Sequence, residues 1–282
     1  MNEETERDRI RRSQRAWATQ RGLAVDALGY VASYSANLQA EMSTATHEAF
    51  TNGAGAELLD SVTGSQAKMR ALHSSSALVV NGFDYWTSRD ASLLLRALGI
   101  GGTLQSLQLE VPLRTGAGGI PPHLDVLLRL TDGTLIGVES KFTEWMAKKS
   151  KQAAKLSPYF REDHSTSFWL RAGLTESHQL AKSMLNEDAV FEVLDVPQLL
   201  KHMLGLCTAA DGKPWTLLYL FYAGSGDMAV AHEREIARFH AAVGDEVRFM
   251  SMTYQALFAA LSEIVDAQHD TYLSYLRERY FA

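Results

Sequence analysis

Two carboxylates and one amine lie inside two otherwise apolar segments of this chain. Residues 119–142 read GIPPHLDVLLRLTDGTLIGVESKF and contain Asp125, Glu139 and Lys141. Charged side chains are costly in core-like strands unless they are paired or bind a ligand. Two adjacent carboxylates repel each other, and Mg²⁺ removes that repulsion because it prefers oxygen ligands, which it commonly shares with phosphates. We therefore expect Asp125 and Glu139 to bind Mg²⁺, with the backbone carbonyl of Ser140 as a further ligand.

Lys141 would stand beside this metal ion. Its ammonium group can orient or help to activate a water molecule, or it can stabilise negative charge on a phosphate. The alternative is a structural arrangement, in which Asp125, Glu139 and Lys141 form an ordinary cross-strand ion pair on an exposed face of a sheet.

The register of the predicted hairpin decides whether these side chains can act together. Successive side chains of a strand point to opposite faces. A two-residue turn would place Asp125 opposite Ser140, whereas a three-residue loop over residues 131–133 places it opposite Glu139. Gly133 suits the left-handed position that such a loop needs. We predict the three-residue loop, or an equivalent bulge.

The elements that position these residues follow from the hydrophobic pattern. Apolar and polar residues alternate in the first strand, and the second and third strands flank the Asp132-Gly133 turn. The predicted strands cover residues 104–114, 123–130, 134–142, 215–224 and 246–254. Helical patterns precede, separate and follow them, which predicts an α/β (mixed α+β) fold with a central mixed β-sheet flanked by helices. Residues 1–100 are expected to form a helical N-terminal region packed on a core of residues 101–282, in one continuous domain.

Composition limits the classes of protein that this chain can belong to. The chain has 282 residues, of which 46% are hydrophobic, and Cys207 is its single cysteine. An intramolecular disulfide and a cysteine-rich zinc site are excluded. The charged N-terminus lacks an apolar signal region, and no run of about 18 apolar residues is present, so we expect a cytoplasmic protein without a membrane span.

The charge balance bears on nucleic-acid binding. The net charge is −6, which counts against a protein that coats nucleic acid but permits a local basic face. The most basic stretch, KKSKQAAK over residues 148–155, directly follows the third strand. It is equally well explained as a solvated helix face and as a phosphate-binding segment.

An Asp on one strand followed by Glu-x-Lys on the next resembles the motif of the PD-(D/E)xK nucleases. Here the motif reads PPHLD and then ESK, with Leu124 before Asp125 where the family often has proline. The segments HSSSALVVN (73–81), GVESKFTEW (137–145) and SHQLAKSML (177–185) resemble a bacterial subgroup of restriction endonuclease-like proteins. The resemblance covers roughly residues 45–280.

The resemblance implies a function and further site residues. In such folds a glutamate from an early helix often joins the metal site. Glu57, in a helix predicted to start near Ala56, is the best match, with Glu48 as the alternative. Glu110, on the first strand, is either an extra metal ligand or a solvated strand residue. Gln179 resembles a polar residue that often lines the site. The implied activity is Mg²⁺-dependent hydrolysis of DNA phosphodiester bonds, with Mn²⁺ as a substitute, in restriction or genome defence. A two-fold homodimer would allow cuts in both strands.

Two other functions remain open from the sequence. The chain could be a catalytically inactive module that kept the nuclease fold to bind nucleic acid or a protein partner. The presence of Asp125, Glu139 and Lys141 argues against this alternative, and the acidic net charge argues for it. A nuclease specific for RNA or for a nucleic-acid structure would share the same chemistry.

Overall fold

The computed structural model describes residues 5–53, 57–61, 64–149, 152–160 and 165–281. Within this part of the chain, five strands form one sheet in the order β1-β2-β3-β4-β5. The strands are β1 (Leu104–Pro112), β2 (His123–Leu130), β3 (Leu135–Lys141), β4 (Trp215–Phe221) and β5 (Arg248–Thr253). The first three strands pair antiparallel, and β3, β4 and β5 pair parallel. The predicted α/β fold with a mixed sheet is confirmed.

Helices precede, separate and follow the strands, as the pattern predicts. In the described part of the chain they are α1 (Glu6–Gln20), α2 (Thr44–Asn52), α3 (Ser75–Phe83), α4 (Ser92–Ala97), α5 (Phe168–Arg171), α6 (Thr175–Leu185), α7 (Val196–Ala210), α8 (Asp227–Val243), α9 (Tyr254–Ile264) and α10 (Asp270–Leu276). None of them combines the length and apolarity needed to cross a membrane.

The hairpin between β2 and β3 has the predicted three-residue loop. Val126 lies opposite Val138, and the N–H of Leu130 donates to the carbonyl of Thr134 at 2.9 Å. Gly133 has a φ of 89°, the left-handed conformation that this loop requires. The same register, continued by one residue, places Asp125 opposite Glu139.

The central strands are apolar because helices cover them. Four of the seven residues of β3 are apolar or glycine, and β4 is buried over almost its whole length. Helix α3 packs on β2 and β3, and α7 packs on β3 and β4. Strands covered in this way read as continuous hydrophobic runs.

Gly137 allows α7 to lie close to β3. A Cβ atom at this position would lie 2.6 Å from Leu206 of α7 and 2.8 Å from Leu124 of β2. Any side chain here would push these neighbours away. His202 lies one turn before Leu206 on α7, and Glu139 is the next residue of β3 on the same face as Gly137. The close approach therefore places His202 over Glu139.

The N-terminal helix packs against the C-terminal segment of the chain. The side chain of Gln14 donates to the carbonyl of Arg279 at 2.6 Å, and Arg279 is itself buried. The Arg279 guanidinium donates to the hydroxyl of Tyr275 at 2.6 Å and lies 4.4 Å from the ring centre of Trp17. These contacts anchor α1 to the body of the protein.

One predicted helix is wrong. The sequence predicts a helix that starts near Ala56, which itself lies outside the described residues. From Glu57 to Asp60 the chain is not helical; instead the N–H of Met69 donates to the carbonyl of Glu57 at 2.9 Å and closes a loop. Asp60 accepts the N–H of Ala67 at 2.8 Å inside this loop. Local bonds of this kind compete with helix formation.

Candidate active site

Strands β2 and β3 separate where the predicted site begins. Their last ladder pair is Val126 and Val138. Beyond it, the carboxylate of Asp125 takes the place of a ladder partner and accepts the N–H of Ser140 at 2.7 Å. The carbonyl of Lys141 points to the β4 side, where it accepts the N–H of Tyr222, so strand alternation turns the Ser140 carbonyl toward β2 and Asp125.

Glu139 and Lys141 form an ion pair on the face of β3 that α7 covers. The ammonium of Lys141 contacts Oε1 of Glu139, and the Glu139 side chain is 1% exposed. Burial would raise the pKa of Glu139, but the charges of Lys141 and of neighbouring His202 outweigh it and lower this pKa to about 2. Burial would lower the pKa of Lys141, but the charges of Glu139 and then Asp125 raise it well above its usual value. Glu139 is therefore ionised and Lys141 protonated at neutral pH.

Asp125 is in the opposite situation to Glu139. Burial and then the charge of Glu139 raise the pKa of Asp125 well above its usual value, against the opposing charge of Lys141. The two carboxylates cannot both be ionised without a large electrostatic cost. The structure thus brings Asp125, Glu139 and Lys141 together in an arrangement that favours binding of one more positive charge.

His202 of α7 is a site residue that the sequence reasoning missed. Its Nε2 atom lies 2.8 Å from Oε2 of Glu139, and both side chains are almost completely buried. The two atoms are close but not aligned as a conventional hydrogen bond, so each lacks a standard partner. A signal was present in the sequence, because His202 interrupts the apolar face that Leu199, Met203 and Leu206 form on α7.

Glu110 and His123 form a second close pair beside the first. Nδ1 of His123 lies 2.9 Å from Oε1 of Glu110, again without hydrogen-bond alignment. Burial, and then the charges of Glu57 and Glu139, raise the pKa of Glu110 to about 7. Glu110 also has a φ of 52°, inside a strand, where a side chain is strained. Strain of this kind is typical of functional positions.

Glu57 reaches the same region from a loop rather than from a helix. One carboxylate oxygen pairs with Lys68 at 3.1 Å, and the other accepts the hydroxyl of Ser76 at 2.8 Å. Its charge acts on the pKa of Glu110, so Glu57 borders the site. Glu48, the other glutamate considered, lies on the exposed face of α2.

Gln179 lies on the exposed side of α6. In the part of the chain that the structure describes, no hydrogen bond joins Gln179 to Asp125, Glu139 or Lys141. Helix α6 packs on α5, α7 and α8 rather than on β3. The side chain that reaches Glu139 from a neighbouring helix is His202 of α7.

A cavity of about 470 Å³ lies between α2 and the edge strand β1. Its lining includes Ala49 and Asn52 of α2, Gln108 and Glu110 of β1, and His123 of β2. The cavity gives a route from solvent to the carboxylate of Glu110.

The described residues contain no group of three or more His, Cys, Asp or Glu side chains already arranged to hold a metal ion. The reason is visible in the contacts, since Lys141 and His202 occupy the oxygens of Glu139 and the Ser140 N–H occupies one oxygen of Asp125. The donors present are carboxylate and carbonyl oxygens, which suit Mg²⁺. Burial and the charge of Glu139 raise the pKa of Asp125, and a cation beside it would offset that repulsion.

Comparison with models of known families identifies the family of this chain. The model of the family described as "Restriction Endonuclease associating with ARP" matches residues 11–281. No curated protein and no solved structure matched the chain. Since the match spans nearly the whole chain, the protein belongs to this restriction endonuclease family, and the resemblance predicted from the sequence is confirmed.

Proposed function

We propose that this member of the restriction endonuclease family is a Mg²⁺-dependent nuclease that hydrolyses phosphodiester bonds in DNA, as part of restriction or another form of genome defence. The observation that carries the proposal is the pair of carboxylates at the open end of the β2–β3 hairpin. Asp125 and Glu139 share one neighbourhood with opposite pKa shifts, and Lys141 contacts Glu139. Perturbed carboxylate pairs of this kind cluster at catalytic sites.

The residues that would hold the cation are Asp125, Glu139 and the carbonyl of Ser140, with Glu57 or Glu110 joining through water. A bound divalent cation supplies Lewis acidity to the phosphate and makes nearby water more acidic. Mn²⁺ is expected to substitute for Mg²⁺, because it accepts the same oxygen ligands.

Lys141 acts as a donor in this proposal rather than as a base. Its raised pKa keeps it protonated at neutral pH, so it cannot accept a proton from the attacking water. The ammonium group can instead donate hydrogen bonds, which orient the water or stabilise the negative charge that develops on the phosphate. His202, on the far side of Glu139, holds that carboxylate in place.

The test is cleavage of supercoiled and linear DNA with Mg²⁺, with Mn²⁺ and with a chelator. Asp125→Asn and Lys141→Met should both lose cleavage, whereas Lys148→Met should retain it. Lys148 is a matched control because it is a surface lysine of the same segment, paired with Glu192 at 2.7 Å. An absence of metal-dependent cleavage on every DNA substrate, or equal cleavage by Asp125→Asn, would refute the proposal. RNA substrates in the same panel separate a ribonuclease from a deoxyribonuclease.

A second candidate is a module that binds a partner without cleaving DNA. The family description names an association with ARP, which favours a role within a complex. Co-purification with ARP, together with no cleavage by the chain alone or by the complex, would support this candidate. Cleavage that is lost in Asp125→Asn would exclude it. Sizing of the purified chain tests the proposed homodimer.

A further inference from the structure

Helix α1 carries a line of arginines on one face. Arg7, Arg11 and Arg15 are spaced four residues apart, and each is half-buried against the body of the protein. Side chains four residues apart are neighbours on a helix, and like charges at that spacing destabilise it. Such an arrangement needs a counter-charge.

Within the residues that the structure describes, two of these arginines form no ion pair with a carboxylate. Arg15 donates to the carbonyls of Asp26 and Ala27 at 3.0 and 2.6 Å. In the described part of the chain, no ion pair joins Arg7 or Arg11 to a carboxylate, and the Nε atom of each is enclosed without an acceptor. Both guanidinium groups are therefore positive and unmatched.

His73 helps to position the pair without adding charge. Nη2 of Arg11 lies 3.4 Å from Nε2 of His73. Burial, and then the positive charges of Arg11 and Arg7, lower the pKa of His73 to about 4. The imidazole is neutral at physiological pH and can accept a hydrogen bond from Arg11.

Two series of contacts link the arginine pair to the region of the candidate active site. His73 comes just before α3, and Ser76 in the first turn of α3 holds Glu57 at 2.8 Å. On the other side, the first turn of α1 packs near the segment that follows β3. A Cβ atom at Gly224 would touch both the side chain of Glu6 and the ring of Trp145, four residues after Lys141.

We propose that Arg7 and Arg11 form a binding site for a phosphate group of the nucleic-acid backbone, next to the bond that is cut. The identity of the ligand rests on the proposed function, because the nuclease substrate is a polyanion. Guanidinium groups recognise phosphate with paired hydrogen bonds, which makes arginine the preferred residue for this contact. The pair provides the local positive charge that a chain of net charge −6 needs near its carboxylates in order to bind DNA.

The test measures DNA binding as a function of salt, by fluorescence anisotropy of a labelled duplex, with a chelator present so that no cleavage occurs. Each phosphate contact contributes about 0.9 to the slope of log K against log salt. The double variant, which loses this one phosphate contact, should lower the slope by about 0.9, and Arg7→Gln and Arg11→Gln should each lower it by part of that amount. Arg9→Gln is the matched control: Arg9 lies on the same helix but is paired with Glu6 at 3.0 Å, so its loss should leave the slope unchanged.

A slope that stays the same in the double variant, or no DNA binding by the wild type at low salt, overturns the proposal. Duplexes with and without a 5′-phosphate distinguish the source of the ligand. If the 5′-phosphate changes the affinity of the wild type but not of the double variant, the site takes a terminal phosphate; otherwise it takes an internal one. The outcome is separate from the cleavage assay, since a protein without nuclease activity can still show the slope change.

Discussion

Glu235 and Glu139 are both buried carboxylates, and they differ in what surrounds them. Glu235 is 7% exposed and accepts three backbone N–H groups, from residues 192, 193 and 194, at 2.7 to 2.9 Å. Glu139 is 1% exposed and faces Lys141 and His202. Burial of a carboxylate therefore does not by itself mark a functional site. What distinguishes Glu139 is that its partners are ionisable side chains and that a second carboxylate, Asp125, lies beside it.

The structural carboxylate also supports the candidate site from a distance. By binding residues 192–194, Glu235 holds the chain just before α7 begins at Val196. Helix α7 then carries His202 to Glu139. A change at Glu235 should accordingly lower the stability of the protein, whereas a change in the group around Glu139 should lower its activity.

Asp125→Asn should reduce DNA cleavage by about 10³-fold, since it removes charge aimed at the reacting phosphate and its cation. It should not reduce stability, because the amide oxygen can still accept the Ser140 N–H while the repulsion from Glu139 disappears. Single-turnover cleavage and thermal unfolding in chelator measure the two effects. Retained cleavage with a lower melting temperature would contradict the distinction between Asp125 as a site residue and Glu235 as a structural one.

Glu235→Ala should lower the free energy of unfolding by about 3 kcal/mol, because it leaves buried backbone donors without an acceptor. Cleavage per folded molecule should remain near that of the wild type. Urea unfolding gives the first quantity, and cleavage at a temperature well below the transition gives the second. Glu235→Gln keeps one acceptor oxygen, so its free energy of unfolding should lie between those of the wild type and Glu235→Ala. Loss of activity in a folded Glu235→Gln variant would show that Glu235 positions α7 for activity as well as stabilising the fold.

Glu110→Gln should increase stability at pH 8 and leave it unchanged at pH 4. The pKa of Glu110 is raised from 4.5 to about 7 in the folded protein. The folded state therefore binds this proton more tightly than the unfolded state, and a stability cost builds up as the pH rises from 4.5 to about 7. Removing the ionisable group should recover on the order of 2 kcal/mol at pH 8. Urea unfolding in chelator at both pH values checks this; an equal change at pH 4 would mean that packing rather than charge is responsible.

The Arg7→Gln/Arg11→Gln double variant should be slightly more stable than the wild type, by about 0.5 kcal/mol, because it removes a like-charge pair at i, i+4. The same variant should bind DNA more weakly. Thermal unfolding at low salt detects the gain, and it should shrink at high salt, where charge repulsion is screened. A clear loss of stability would show that the arginines are structural.

Charge in a sequence and charge available to a ligand are different quantities in this protein. The lysine-rich stretch 148–155 is the most basic segment, and part of it, including Lys151, lies outside the described residues. Of its described lysines, Lys148 pairs with Glu192, and both Lys149 and Lys155 lie 3.4 Å from Asp195. These partners are some 40 residues away, so inspection of the segment could not reveal them. Arg7 and Arg11 of α1 looked like part of an ordinary charged helix, and among the described residues no carboxylate pairs with either of them.

The hairpin was predictable because its information is local. Alternation of side chains, a glycine at the loop and the spacing between Asp125 and Glu139 were sufficient to predict the register, and the structure has that register. The loop at Glu57 was not predictable, because Asp60 and a backbone hydrogen bond between Glu57 and Met69 decide the conformation of that segment. The placement of Gln179 depends on which helix packs over β3, and this is a property of the whole fold.

The amino-acid sequence alone carried the fold class, the strand register and the proximity of Asp125, Glu139 and Lys141, since these depend on periodicity and on residues that a short loop brings together. Tertiary structure decided which charges have partners. It brought His202 to Glu139 through the gap left by Gly137 and paired Lys148, Lys149 and Lys155 with carboxylates. Among the described residues it gave Arg7 and Arg11 no carboxylate partner. The physical reason is that the pKa and the availability of a charge depend on atoms within a few ångströms in space, wherever those atoms lie along the chain.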